Sequence, residues 1–323
     1  MIHVGYHASH EQFAPSELVD YAVRAENAGF QSIMSSDHIA PWSARQGQSG
    51  FAWSWLGAAM QATSVPFGII TVPSGWRYHP AITAQAAATL AQMFPDRFPW
   101  LAVGSGQALN EHIAGGQWPA KEERNMRLLA GVEIIRDLWS GKTVRRSAPV
   151  AVDDAKLYTL PDRPPNVIAG ALSPRTAEWA GNWADGLITI NQPRDKLSDI
   201  IRAFRMGGGE GKPLYLQVHV SYAPTEEEAQ WNAFDQWRSN AVTATVAETL
   251  RMPDDFDEAS AYVRPEDMGR HVRISSDAGQ HADWLFEDAS MGFQEIYVHN
   301  VGRDQIAFID FYGETVLPLV ANE

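Results

Sequence analysis

The sequence predicts an α/β protein built as a closed (β/α)8 TIM barrel, and three observations carry that prediction. Short β-branched or apolar runs alternate with longer segments of helical spacing along the whole chain. Eight such strand segments fit in 323 residues, more than an open doubly wound sheet ordinarily needs. The G-x-G-x-x-G fingerprint that would follow the first strand of a dinucleotide-binding open sheet is missing. Residues 1–323 are read as one barrel domain, because no linker, long repeat or low-complexity tract divides them.

Taken in order, residues 2–6 read as the first strand. The segment ELVDYAVRAENAGF follows, with Leu18, Tyr21, Ala22 and Ala25 at helical spacing and Gly29 as a natural C-cap. A second strand covers residues 31–35. Residues 46–76 hold no charged side chain, yet Gln, Ser, Gly and Pro interrupt them too often for a membrane span, so they read as protein interior. Within that run, residues 52–63 have helical spacing and residues 67–71 form a third strand buried on both faces. Strands at 100–104, 166–169, 186–190, 214–221 and 295–299 complete the eight, with helices at 196–205, 225–241 and 304–319. Insertions fall at 40–50, at 142–164 with a possible hairpin, and at 240–267; long loops on barrels usually cover the site.

Composition narrows the function. Against 25 basic residues stand 39 acidic ones, a net charge of −14, so nucleic acid and anionic membranes are excluded as partners. The absence of Cys excludes disulfides, thiolate catalysis and Cys-ligated metal centres. The N-terminus has no basic and apolar export pattern, which predicts a cytoplasmic enzyme acting on a small molecule.

In such a barrel the site lies at the C-terminal ends of the strands, so position selects candidates before residue type does. The first strand offers His7, His10 and Glu11, and the second leads into Asp37, His38 and Trp42. His38 is the best acid/base candidate, because imidazole titrates near neutrality and an adjacent carboxylate can orient it. The competing reading is a rim histidine satisfied by a backbone carbonyl. Asp37 is a base, an orienting group or a helix N-cap. After the fourth strand, Ser105 and Gly106 lie in a G-S-G turn whose amides can approach a planar ligand or phosphate, with Gln107 next to them; a plain tight turn explains the glycines equally well. After the fifth, Ala169, Gly170 and Ala171 lead to Ser173, either a phosphate-binding hydroxyl at a helix N-terminus or an ordinary cap. Trp42, Trp53, Trp55 and Trp76 are candidates to wall an aromatic pocket, whereas Trp100 and Trp139 read as core.

A metal-dependent barrel hydrolase is the reading from another class. Such enzymes begin with H-x-H on one face of the first strand, whereas His7 and His10 fall on opposite sides of a continuing strand, so no metal site is predicted. A non-catalytic binding barrel explains two titratable rim clusters less well.

The segments GYHASHEQFAP, SDHIAPW, RYHPA, GSGQALNE, RLLAGVEIIRDLWSGKTV and WADG together resemble the luciferase-like flavin and deazaflavin oxidoreductases, and most closely the branch containing coenzyme F420-dependent glucose-6-phosphate dehydrogenase. The resemblance implies a (β/α)8 barrel, usually dimeric, with an isoalloxazine-type ring in the barrel mouth. It places Asp37 at the ring, makes His38 the catalytic histidine and Trp42 the aromatic that shields the reacting centre, and matches Glu11 to an active-site carboxylate. It also implies a non-proline cis peptide at Ile70 and Thr71 propping the ring.

Two departures follow. Gln107 stands where that branch has a titratable glutamate, and the lysines that hold its sugar phosphate have no counterpart, Arg194 and Arg273 offering only a different geometry. The amide at 107 and the hydroxyl at Ser173 favour FMN as cofactor, with F420 as the alternative. The expected reaction is hydride transfer or monooxygenation of a small apolar or aromatic substrate, in a homodimer with a possible separate flavin reductase. The alternative is an F420-dependent dehydrogenase or reductase.

Overall fold

The computed structural model describes residues 2–321. Strands β1 (His3–Ala8), β2 (Ser32–Ser36), β3 (Phe67–Thr71) and β4 (Trp100–Val103) are followed by an antiparallel hairpin of β5 (Val144–Arg146) and β6 (Val152–Ala155). Then come β7 (Asn166–Gly170), β8 (Gly186–Ile190), β9 (Leu214–Ser221), the short β10 (Arg273–Ile274) and β11 (Glu295–Asn300). The order β1-β2-β3-β4-β7-β8-β9-β11 closes back on β1 with every pairing parallel, giving the eight-stranded (β/α)8 barrel that the sequence predicts. The hairpin lies in the predicted 142–164 insertion.

The helices are α1 (Pro15–Ala28), α2 (Ala52–Ala62), α3 (Pro80–Met93), α4 (Ala108–Glu111), α5 (Lys121–Trp139), α6 (Pro174–Gly181), α7 (Arg194–Phe204), α8 (Glu226–Trp237), α9 (Ala244–Ala247), α10 (Pro253–Ala259), α11 (Ala278–Ala289), α12 (Gln305–Phe311) and α13 (Leu317–Ala321). Helix α1 buries Leu18, Ala22 and Ala25 and stops at Gly29, whose φ of 99° makes the left-handed cap. None of the helices is long and apolar enough to cross a membrane, among the described residues.

The barrel interior is a packed core. Met34, Trp100, Ala102, Ile168, Ile188, Tyr215 and Tyr297 fill it, and Trp100 Nε1 donates to the Tyr297 hydroxyl at 3.2 Å. Trp100 and Trp139 are core residues, as expected.

Two expectations are corrected. Trp53 and Trp55 wall no pocket: both are buried in the layer between α2 and the sheet, edge-on to Phe98 and Phe67 respectively. The Ile70–Thr71 peptide is not cis, and the one cis bond among the described residues is Ala148–Pro149. Strand β3 instead stays in parallel register to its end, Ile70 with Ala102 and Thr71 with Val103, and its last carbonyls accept Asp37 N–H at 2.9 Å and Gly104 N–H at 3.1 Å. Helix α8 and the 3-10 turn after it, Arg238–Ala241, lie where a helix is predicted at 225–241, whereas α11, capped by Asp277 and packed on β11, is missing from the sequence reading.

Candidate active site

The exits of β1, β2, β3, β4 and β7 carry the candidate residues to the barrel mouth. The chain leaves β1 through a turn closed by Gln12 N–H on Ser9 O at 3.3 Å, which buries Glu11 at 2% exposure. Its carboxylate accepts the Ser9 hydroxyl at 2.9 Å and lies in close hydrogen-bond contact with His38 Nδ1. Burial alone would raise the Glu11 pKa, but the charge and hydrogen bond of His38, helped by His7, bring it down to about 2. His38 keeps 19% of its side chain exposed, and Trp42 meets its ring edge-on at 5.2 Å. Its Nε2 makes no protein hydrogen bond, among the described residues. The carboxylate that orients His38 is therefore Glu11, distant in sequence, and the backbone-satisfied reading of the imidazole is excluded.

Asp37, next to His38 in sequence, does other work. Its carboxylate accepts Thr71 Oγ1 at 2.8 Å, Arg77 Nη1 at 3.1 Å and the Tyr78 hydroxyl at 3.2 Å, while its carbonyl accepts Arg77 Nη2 at 2.7 Å. No helix begins there, so it is not an N-cap. Arg77 also faces Glu111, with its backbone N–H on Oε2 at 3.0 Å. Burial pushes the Glu111 carboxyl above its usual range, against the pull of that guanidinium. Sequence reasoning assigned no role to Arg77, Tyr78 or Glu111. The available signal was that Arg77 is the first charge after the uncharged run 46–76.

The glycine turn after β4 leaves room at the mouth. A Cβ at Gly104 would meet nothing within 4 Å, and one at Gly170 only Val103 O at 3.7 Å. Gly106 takes φ 84° and sits tightly against Glu111, Trp118 and Val72. Ser105 Oγ accepts Lys121 Nζ at 2.6 Å, and Gln107, half-buried, makes no side-chain cap. These two bare positions end the paired strands β4 and β7, beside the half-buried Gln107. At Ser173 the hydroxyl is used locally: it accepts Thr176 N–H at 3.4 Å and bonds Thr176 Oγ1 at 3.1 Å, the ordinary cap. Ala169 and Gly170 end β7, and Ala171 N–H bonds Ile188 O at 3.1 Å.

The insertion after α8 crosses this mouth. Glu248 pairs with Arg124 at 2.7 Å and its carbonyl accepts Ala108 N–H at 3.2 Å. Asp257 on α10 accepts Ser43 Oγ at 2.7 Å and pairs with Arg45, and Phe256 packs edge-on against Trp42 at 5.5 Å.

His7 and His10 diverge, although β1 ends at Ala8 and it is the turn after it, not a continuing pleat, that carries His10. His7 stacks on His299 inside the barrel, and His10 packs edge-on against Trp55 under α2. Among the described residues no group of three His, Asp or Glu side chains is arranged to hold a metal ion. Arg194 and Arg273 lie elsewhere: Arg273 makes a two-pronged pair with Asp288 at 2.6 and 2.8 Å, and Arg194 reaches Ser290 and Glu287 O.

The profile of the luciferase-like monooxygenase family matches residues 1–295. The chain belongs to this family. That membership sets aside the hydrolase and binding-barrel readings and makes the protein an oxidoreductase. It is 34% identical to an F420-dependent glucose-6-phosphate dehydrogenase of Microbacterium testaceum, over 97% of this chain and 96% of the relative. To the protein of that name from Mycobacterium tuberculosis it is 32% identical, over 98% and 97%. Among solved structures, an F420-dependent secondary alcohol dehydrogenase in complex with an F420-acetone adduct superposes with a TM-score of 0.89 at 30% identity, covering 99% of each chain. A coenzyme F420-dependent tetrahydromethanopterin reductase from Methanopyrus kandleri shares the fold, with a TM-score of 0.78 at 20% identity and 99% coverage of each. These relatives do not support FMN as the cofactor; they support the deazaflavin alternative.

Proposed function

We propose that the protein is a coenzyme F420-dependent dehydrogenase that oxidises a small uncharged secondary alcohol to a ketone. The observation that carries this reading is the Glu11–His38 pair, buried on the carboxylate side and open on the imidazole side, beside the glycine-lined space at the ends of β4 and β7. When bound, the deazaflavin ring supplies a hydride acceptor. In this reading His38 Nε2 takes the hydroxyl proton, and the charge of Glu11 stabilises the imidazolium that results. Trp42 fixes the His38 ring and excludes water from that side. Asp37, with Thr71 and Ile70 beside it, anchors the loop floor through Arg77. Ser105, Gly106 and Gln107 and the turn Ala169, Gly170, Ala171 and Ser173 border the cofactor, and Gln107 serves as a neutral hydrogen-bonding edge. The substrate itself reduces the cofactor, so a separate flavin reductase is not needed; a homodimer in the cytoplasm completes the proposal.

Glucose 6-phosphate is a poor substrate in this reading, because the two candidate arginines are engaged elsewhere. The test is a pair of binding titrations with F420 and FMN, followed by turnover of 2-butanol and glucose 6-phosphate read from loss of oxidised F420 absorbance. The expected result is tight F420 binding, weak FMN binding and turnover of the alcohol alone. Tight FMN binding with none for F420, or robust oxidation of glucose 6-phosphate, overturns the proposal.

A further inference from the structure

Beneath the Glu11–His38 pair the barrel is lined by three more imidazoles that the proposed reaction does not use. His219 on β9 and His299 on β11 are register partners, and His7 on the next strand, β1, stacks on His299 with ring centroids 4.4 Å apart and planes 23° from parallel. His219 meets His299 edge-on at 5.4 Å, and Trp237 covers both rings at 5.1 and 4.7 Å. None of the three histidines is more than 5% exposed.

Two of their six ring nitrogens have protein partners: His299 Nε2 faces Gln12 Oε1 at 3.2 Å, and His219 Nε2 faces Gln217 Nε2 at 3.3 Å. The other four, both of His7 and Nδ1 of His219 and His299, have none among the described residues. Burying a polar atom without a partner is costly, and packing alone would be served better by aliphatic side chains at these positions. Molecules entering the barrel could supply those bonds.

The chemistry of the row specifies those molecules. Burial and mutual proximity hold the rings neutral, His7 at about 4, His219 at about 3 and His299 below its ordinary range. A neutral imidazole has one N–H donor and one lone pair, the complement of a hydroxyl group, and does nothing to balance a phosphate. His7 lies on β1 four residues before Glu11, and His299 faces Gln12, the residue after Glu11, so the row adjoins the turn that carries Glu11.

We propose that His7, His219 and His299 form the inner wall of the substrate pocket and select an uncharged polyol, hydrogen-bonding a hydroxyl other than the one that is oxidised. This rests on reading the mouth as an alcohol-oxidising site, so the test has one arm that does not. In the first arm the full chain without cofactor is titrated with 2,3-butanediol while the histidine ring nitrogens are followed by 15N NMR, with 2-butanol as the control lacking the second hydroxyl. The expected result is that the three resonances move with the diol and stay with the mono-alcohol. In the second arm the F420-loaded enzyme prefers the diol in kcat/KM. His219→Leu and His299→Leu lower that preference at least tenfold with F420 affinity unchanged, while His219→Gln, which keeps hydrogen-bonding capacity, retains most of it.

Ring shifts with the diol but no F420-linked turnover of either alcohol would sink the proposed function and leave the row supported. Equal turnover of both alcohols with no ring shift overturns the row alone. An undiminished preference in folded Leu variants overturns it as well.

Discussion

At the scale of single residues, two carboxylates lie close to His38 and have different physical tasks. Asp37 is its sequence neighbour, but consecutive residues at a strand exit point in different directions, and the Asp37 carboxylate turns to Arg77, Tyr78 and Thr71. Glu11 arrives from the β1 turn and takes the imidazole. In the proposed reaction, Glu11→Gln removes the charge that stabilises His38 as it gains a proton, so kcat should fall by about 100-fold with F420 affinity unchanged, as read by steady-state kinetics and a binding titration. Asp37→Ala should act on stability, because it leaves the buried Arg77 guanidinium short of a partner; a loss of about 3 kcal/mol in unfolding free energy is expected, read from a lowered denaturant midpoint. The types of residue and their place at the rim were legible in the sequence. Their pairing was not, because it depends on which strand exits face one another across the mouth.

At the scale of elements, the strands were nearly all legible because a parallel barrel buries both faces, which leaves short apolar runs flanked by polar turns. Helix α11 was not, since it follows a long irregular insertion and carries charges at Asp283 and Glu287 on its exposed side. Glycine inside two strands had a reason visible only in three dimensions. A Cβ at Gly68 would stand 2.1 Å from Trp100 Cζ2, and one at Gly5 would stand 2.4 Å from Tyr297 Cδ1. These bare positions on β3 and β1 make room for the two largest rings in the barrel centre. Trp100 is fully buried and cannot swing aside, so Gly68→Ala should destabilise the fold by about 3 kcal/mol through overpacking, measured as a lower urea midpoint with an unchanged slope.

At the scale of the whole molecule, the acidic net charge says little about the barrel interior, where His7, His219 and His299 are enclosed by protein. Burial lowers the pKa of His7, His10 and His281 to about 4 each and that of His219 to about 3, and holds His299 below its ordinary range as well. In the unfolded chain each of these would titrate at about 6.5. Between those limits the unfolded state binds more protons than the folded one, so stability rises with pH across the window and falls on acidification from 6.5 toward 4. Glu11 acts in the same direction at lower pH, because its depressed pKa of about 2 contributes stability above the ordinary carboxylate range and loses it as pH drops further. The expected outcome is a melting temperature nearly flat above pH 7 and falling steeply below 6.5, with about three or more protons taken up per molecule unfolded near pH 5. His281 lies outside the mouth, where its two nitrogens are occupied by the Tyr312 hydroxyl and Ser275 O, so His281→Asn should lower that uptake by about one proton. Calorimetry in buffers of different ionisation enthalpy measures the uptake directly. A melting temperature that stayed level from pH 7 to pH 4.5 would mean that the buried imidazoles are protonated in the folded protein, and the neutral row beneath Glu11 and His38 would have to be abandoned with it.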